Sequence, residues 1–137
     1  MGGAGASSQK NNDLLSYQWN LVNATRLSDN TIRLNNGVNA SASLGEPMDL
    51  TKYNMLNVTV YPYTTNNFSY YYSVEISTDG ASWTSISGTR ESPTTTGGRT
   101  DLIQYDVSSR TGNYYLRVRT WAGNATSTLT IVSAFLG

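Results

Sequence analysis

Cysteine and histidine are both absent from this chain of 137 residues. Without cysteine, the chain can form no disulfide bond and no thiolate metal site. Without histidine, it lacks the commonest general base and the commonest transition-metal ligand. Charge is also scarce, because charged residues make up 13% of the chain, lysine occurs only at Lys10 and Lys52, and the formal net charge is zero. Electrostatic capture of nucleic acid is therefore not expected.

Long apolar runs are missing as well. No stretch approaches the ~20 apolar residues that a membrane helix needs, so membrane insertion is not expected. Residues 1–8 lack the cationic segment and the apolar stretch of a secretory signal. This start predicts either a protein made and assembled inside a cell or one whose leader has been removed.

The first twelve residues differ in composition from the rest of the chain. Residues 1–12 are rich in Gly, Ala, Ser and Asn, and Gly2, Gly3 and Gly5 lie near the start. Such a composition predicts a flexible arm, which can become ordered against a neighbouring subunit in an assembly. Residues 13–137 are predicted to form one domain, long enough for a two-layer core.

From residue 14 onward the sequence has the pattern of β-strands. The clearest local signal is a hairpin with Asp79-Gly80 at its turn, preceded by Val74 and Ile76 in alternation with polar residues and followed by Trp83. Residues 88–100 lack periodicity and are predicted to be a mobile loop. Alternating or apolar strand patterns recur at residues 17–22, 31–34, 38–44, 55–61, 102–107, 115–121 and 128–136. Short strands separated by turn signals predict an all-β protein, a β-sandwich or barrel.

Four segments in this order resemble the galactose-binding-like jelly roll, the fold shared by discoidin domains and many carbohydrate-binding modules. They are Met-Asp-Leu-Thr-Lys-Tyr at residues 48–53, Val-Glu-Ile-Ser-Thr-Asp-Gly-Ala-Ser-Trp at 74–83, Tyr-Leu-Arg-Val-Arg at 115–119 and the apolar strand around residues 129–131. The resemblance covers about residues 14–136. It implies an antiparallel β-sandwich jelly roll with ligand-binding loops at one end.

The resemblance also implies a structural calcium ion, which many members of this fold hold with carboxylates and carbonyls near the first and last strands. The early carboxylates of this chain are Asp13 and Asp29, and residues 107–137 contain neither Asp nor Glu. Because the chain departs from that pattern, we predict no cofactor and no metal site.

Catalysis would have to depend mainly on the nine carboxylates of the chain. A glycosidase needs two of them facing each other at about 5–9 Å. Asp79 is accounted for by its turn and Asp49 by its loop, and Glu75 is predicted on the outward face of its strand. Without His or Cys, a nucleophile–base pair is also hard to assemble. We therefore predict that the protein is not an enzyme.

Tyrosines are more informative, and several of them crowd residues 61–72. Tyr70 and Tyr72 share the phase of the apolar hairpin residues, so they are predicted to be buried. Tyr63 and Tyr71 lie outside that phase. They are either strand formers with packed rings or exposed platforms for a pyranose ring or a protein partner.

The strand at residues 115–121 is predicted to carry four alternating side chains on one face: Tyr115, Arg117, Arg119 and Trp121. A guanidinium group there can stack on an aromatic ring and donate hydrogen bonds to a sugar, a carboxylate or a partner protein. The other interpretation is an outer sheet face on which these side chains pair with neighbouring strands. For Arg117 and Arg119 we favour the second interpretation, because cross-strand charge pairs are common.

Fold-level resemblance does not determine function, so three hypotheses remain. The leading one is a structural virion protein of a bacteriophage, such as a capsid decoration, head-fibre or tail component, that binds other subunits as a homo-oligomer or within the particle and can also contact glycans. The second is a carbohydrate-binding module, either free or part of a secreted enzyme, with Tyr63 and Tyr71 as its sugar platform. The third is an adhesin or filament subunit.

Overall fold

The structure is a computed structural model, and it describes residues 12–65, 68–124 and 126–137. The predicted arm residues Gly2, Gly3 and Gly5 lie outside the described residues. Asn12, the first described residue, hydrogen-bonds with Leu136 near the C-terminus through its Nδ2 and its carbonyl oxygen, at 2.8 and 3.0 Å. The flexible arm and its boundary at residue 12 stay predictions.

The regular secondary structure of the described residues is almost entirely β. A 3-10 helix at Leu14–Ser16 precedes β1 (Trp19–Val22), β2 (Ala24–Arg26), β3 (Ile32–Leu34), β4 (Asn39–Leu44), β5 (Met48–Asp49), β6 (Met55–Thr64), β7 (Tyr71–Ser77), β8 (Thr84–Ser85), β9 (Arg90–Glu91), β10 (Gly97–Gly98), β11 (Asp101–Asp106), β12 (Asn113–Trp121) and β13 (Thr128–Leu136). No described helix has the length and apolar character needed to cross a membrane. The predicted all-β class is confirmed.

The strands form two antiparallel sheets. Sheet 1 has the order β1-β4-β12-β7-β8, and β5 and β9 pair with β12 and β7 respectively. Sheet 2 has the order β10-β6-β13-β3-β2, and β11 pairs with β6. This arrangement confirms the predicted antiparallel β-sandwich jelly roll.

The core is formed by the alternating apolar residues of the long central strands. Leu116 and Val118 of β12 and Val58 and Val60 of β6 have no exposed surface and belong to one buried cluster. Burying each such side chain contributes about 1.5–3 kcal/mol to folding. The cluster also contains Tyr70 and Tyr72, both fully buried, which confirms the prediction made from their phase.

The edges of the sheets follow the sequence pattern less closely. β1, predicted to alternate, pairs with β4 alone among the described strands, and its Leu21 is 37% exposed. Residues 88–100, predicted to be a loop, contain the short strands β9 and β10. Arg99 ties this segment to the sheets, since its Nε donates to Asp101 at 2.8 Å and its Nη2 donates to the carbonyl of Glu91. The segment is therefore more regular than predicted.

Alkaline pH is expected to destabilise the fold through two buried tyrosines. Burial raises the pKa of Tyr70 and Tyr72 above the ordinary value of 10.0, and the hydrogen bond to Asp101 adds to the effect at Tyr72. The unfolded chain then loses these protons at a lower pH than the folded protein does. The free energy of unfolding should consequently fall as the pH rises above about 10.

Thermal melts between about pH 9 and about pH 11 would measure this effect. Tyr70→Phe removes one of the two phenols, so its melting temperature should fall less steeply with pH than that of the original chain. Equal slopes for the two proteins would contradict this expectation.

Candidate functional site

The outer face of sheet 1 carries a row of planar side chains. Tyr115, Arg117, Arg119 and Trp121 of β12 are all half-buried and share this face, whereas the residues between them are buried. This confirms the alternation predicted for the strand. The row continues onto neighbouring strands, and we call its members the arginine–aromatic face: Trp83, Glu75, Arg117, Arg119, Trp121, Tyr71 and Tyr115.

Glu75 lies at the centre of this face, directly opposite Arg117 in the register of β7 and β12. Its Oε1 accepts from Arg117 Nε at 2.8 Å and lies 2.6 Å from Arg117 Nη2, and its Oε2 accepts from Arg119 Nε at 3.0 Å. Glu75 is only 5% exposed. A carboxylate removed so far from water requires such pairing, and both of its oxygens have it. Two cations thus share one anion.

Aromatic rings flank the two arginines on either side. Cζ of Arg117 lies 4.4 Å from the ring centroid of Trp83, and Cζ of Arg119 lies 4.3 Å from that of Trp121. The ring of Trp121 is 6.1 Å from that of Tyr71, at an interplanar angle of 31°. Each cation–π contact contributes about 0.5–1 kcal/mol at a partly exposed site. Together with Glu75, the rings hold both guanidinium groups in defined orientations.

The hairpin turn explains how Trp83 reaches this face. Gly80 adopts a φ of 75°, which glycine tolerates. The Asp79 carboxylate accepts from the backbone N–H groups of Ser82 and Ala81 at 2.9 and 2.8 Å. These hydrogen bonds, with a further one from Ser77, lower the pKa of Asp79 to about 2. The hydrogen bonds of the Asp79 carboxylate therefore stabilise the turn, which returns the chain beside β7.

Small hydroxyl side chains border the arginines. Ser43 of β4 lies opposite Arg117, while Ser41 of β4 and Ser73 of β7 lie opposite Arg119. Each of the two long arginine side chains therefore lies beside a short serine side chain on β4. Ser41 and Ser43 are partly exposed and form a polar strip beside the two guanidinium groups, whereas Ser73 is buried and its hydroxyl hydrogen-bonds with that of Ser85.

The structure brings together five of the six residues predicted from sequence, all except Tyr63. Tyr63 belongs to β6 in sheet 2, where its ring stacks on that of Tyr61 with centroids 6.5 Å apart. Tyr71 lies in sheet 1 and is 36% exposed. The predicted platform of Tyr63 with Tyr71 is therefore not one surface, because the chain changes sheet between β6 and β7.

Two residues of the face were not predicted as site residues. Trp83 was interpreted as apolar bulk of the hairpin, and Glu75 only as an outward-facing carboxylate. Trp83 lies two residues before Ser85, which pairs with Glu75. Alternation along the returning strand of the hairpin therefore places Trp83 on the same face as Glu75, and this alternation was the available signal. The pairing of β7 with β12, which brings Glu75 to Arg117, has no comparable local signal.

The described residues do not fit the calcium ion implied by the resemblance. Across residues 12–65, 68–124 and 126–137, no three acidic side chains cluster where they could hold a metal ion. The Asp13 side chain accepts from the N–H of Leu15 at 3.1 Å. The Asp29 carboxylate accepts from the N–H and the hydroxyl of Thr31, at 3.1 and 2.6 Å. Both early carboxylates thus stabilise local turns.

Comparison with known proteins gave matches among solved structures. No protein-family model and no curated protein matches the chain. A structure described as "CBM4 structure and function", where CBM denotes a carbohydrate-binding module, matches with a TM-score of 0.56 and 9% identity over 87% of this chain and 78% of that one.

Two further modules match over most of their length. TmCBM61 in complex with β-1,4-galactotriose has a TM-score of 0.50 and 13% identity, covering 88% of each chain. The CBM36-1 domain of a multidomain xylanase from the hindgut metagenome of Trinervitermes trinervoides has a TM-score of 0.51 and 15% identity, covering 92% of this chain and 94% of that one. At these identities the likeness shows the fold. The chain has the galactose-binding-like jelly-roll fold.

Proposed function

We propose that this protein is a non-catalytic glycan-binding module that acts outside the cell and binds its ligand across the arginine–aromatic face. The observation that carries the proposal is the row of stacked guanidinium groups and aromatic rings, bordered by serines. The fold supports it, since the three modules compared above share that fold, and one of them is in complex with a galactose oligosaccharide.

The face offers the three kinds of contact that a sugar needs. The exposed ring of Tyr71, beside Trp121, gives a flat apolar surface for the C–H groups of a pyranose. Arg119, whose side chain is 40% exposed, presents N–H donors to hydroxyl oxygens in a fixed fork. The hydroxyls of Ser41 and Ser43 can both donate and accept. Such contacts bind a glycan without any chemical step.

Glu75 supports binding rather than hydrolysis. Both of its oxygens accept hydrogen bonds from arginine, and the carboxylate is nearly inaccessible to solvent. A catalytic acid or nucleophile must reach the glycosidic bond, with a second carboxylate about 5–9 Å away. Glu75 instead orients the two guanidinium groups that would contact the ligand.

Removing the central ring is expected to weaken binding. Trp121→Ala takes away both the ring contact and the support of Arg119, so affinity should fall at least about tenfold, equivalent to about 1.4 kcal/mol. Affinity electrophoresis and calorimetry with neutral and acidic plant and algal polysaccharides would measure the affinities of the variant and of the original chain. Each measurement would be made with and without a metal chelator. The chelator should leave the affinity unchanged, since we propose no metal.

Tyr61→Ala is the matched control, because Tyr61 is an exposed tyrosine on the opposite sheet. It should bind like the original chain. Failure to bind any polysaccharide would overturn the proposed function, and an equal loss in both variants would overturn the proposed site.

The sequence also left two other hypotheses, a virion component and an adhesin or filament subunit. The structural comparisons favour the carbohydrate-binding alternative over the virion hypothesis, for which they offer no support. Assembly into a homo-oligomer, or with other subunits of a particle or filament, stays a prediction.

A further inference from the structure

The arginine–aromatic face holds more positive than negative charge at its centre. Glu75 is the shared partner of two guanidinium groups, and Arg117 directs both Nε and Nη2 at one of its oxygens. Arg119 contributes a single N–H, from Nε, to the other oxygen. The excess positive charge is therefore carried mainly by Arg119.

Arg119 is also the more accessible of the two cations. Its side chain is 40% exposed, against 26% for Arg117. Among the described residues, Arg119 donates a hydrogen bond only through Nε, and its Nη1 and Nη2 have no hydrogen-bond partner. These two nitrogens form the edge of the guanidinium group that matches two oxygens of a carboxylate or a sulfate. Glu75 and the ring of Trp121 already fix the plane of the guanidinium group. Binding an anion there would therefore cost little side-chain conformational entropy.

Neighbouring carboxylates do not compensate the charge. Glu91 lies on the same side of the sheet, opposite Tyr71 in register. Two strand spacings and two residue steps separate it from Arg119, which places their Cβ atoms about 12 Å apart. The two side chains, both described, form no ion pair.

The opposite side of Arg119 is uncharged. The in-register neighbours on β4 are Ser41 for Arg119 and Asn39 for Trp121, and the next strand presents Val22 opposite Ser41. A ligand that lies along this strip contacts uncharged apolar, hydroxyl and amide side chains beside the edge of the guanidinium group. Nothing on this strip repels an anion.

From this geometry we infer that the arginine–aromatic face selects acidic glycans, with Arg119 binding the carboxylate of a uronic acid or the sulfate ester of a sulfated sugar. This inference rests on the proposed function and specifies the class of glycan. Arg119 is the specificity-determining residue, and the aromatic rings contribute to binding of neutral and acidic sugars alike.

The test compares ligands that differ only in charge. Calorimetry with the full chain would use polygalacturonan and the same polymer after reduction of its carboxyl groups. Binding to the reduced polymer should be at least about tenfold weaker, which corresponds to loss of one good charge-assisted contact. A sulfated galactan and its desulfated form provide a second pair, and the pair that shows the difference identifies the anion. If the neutral forms bound equally well or more tightly in both pairs, the inference would be overturned and the proposed function would stay intact. If no polysaccharide bound at all, both the inference and the proposed function would be overturned.

Variants of Arg119 assign the selectivity to this residue. Arg119→Gln should lose the preference for the acidic polymer, and Arg119→Lys, which keeps the charge but not the planar fork, should retain only part of it. Arg33→Gln, on the outer face of sheet 2, makes the same change in net charge and should keep the full preference. An undiminished preference in Arg119→Gln would overturn the role of this residue. If that variant does not fold, the paired polymers with the original chain still decide the inference.

Discussion

Gly123→Ala is expected to destabilise the protein by about 3 kcal/mol, near the upper end of the usual overpacking range. A Cβ at this position would lie 2.3 Å from Cβ of Tyr70 and 2.8 Å from the carbonyl oxygen of Gly37. That carbonyl also accepts from the N–H of Gly123 at 2.9 Å. Neither clashing atom can be moved by rotating a side chain, because one is a main-chain oxygen and the other is bonded directly to the main chain.

Tyr70 itself is held at both ends. Its N–H donates to the hydroxyl of Ser92 at 2.9 Å, and its hydroxyl donates to the carbonyl of Thr128. Its ring is fully buried. The extra methyl group must therefore separate two backbone segments or push the tyrosine out of the core. Denaturant unfolding would measure the loss.

Gly98→Ala is the matched control. Its Cβ would come equally close to another tyrosine, 2.4 Å from Cζ of Tyr61. The ring of Tyr61 is 37% exposed and can swing into solvent, so the loss of stability should stay below about 1 kcal/mol. A Gly123→Ala variant as stable as the original chain, or a Gly98→Ala variant equally damaged, would show that burial of the partner does not decide the outcome.

The sequence predicted the long strands that are paired with another strand on each side. β6, β12 and β13 are long and central, so one of their faces is in the core and their alternation is visible. The same rule correctly placed Tyr70 in the core and Arg119 on the outer face. The two-residue strands β9 and β10 are too short to show a period, and the pairing that defines them depends on segments farther away in the sequence.

The candidate site was only partly predictable for a related reason. Periodicity tells which side chains of one strand share a face, and it correctly grouped Arg117 with Trp121. It does not tell which strand comes next: Glu75 is 42 residues from Arg117 in sequence, yet hydrogen-bonds to it. For the same reason Tyr63 and Tyr71, close in sequence, could not be assigned to opposite sheets. The likeness in fold to carbohydrate-binding modules supports the proposed glycan binding and offers no support for a virion component.

Glu75→Gln is the second change with a large expected effect, a loss of about 2–3 kcal/mol in the free energy of unfolding. The amide keeps the shape of the side chain but removes the charge that Arg117 and Arg119 share. It also replaces one acceptor oxygen with an NH2 group, which would face an arginine N–H with no acceptor between them. The expected loss lies below that for fully buried pairs, because both arginines are partly exposed and can regain water.

Glu91→Gln is the corresponding control, since Glu91 is exposed on the same side of sheet 1. A surface carboxylate of this kind should change stability by no more than about 0.5 kcal/mol. Urea unfolding of both variants, with the same buffer and salt, would compare them. If Glu75→Gln were as stable as Glu91→Gln, the two guanidinium groups would not depend on Glu75, and their fixed orientation would have to come from Trp83 and Trp121 instead. A large loss in Glu75→Gln alone would establish the carboxylate as the group that organises the face.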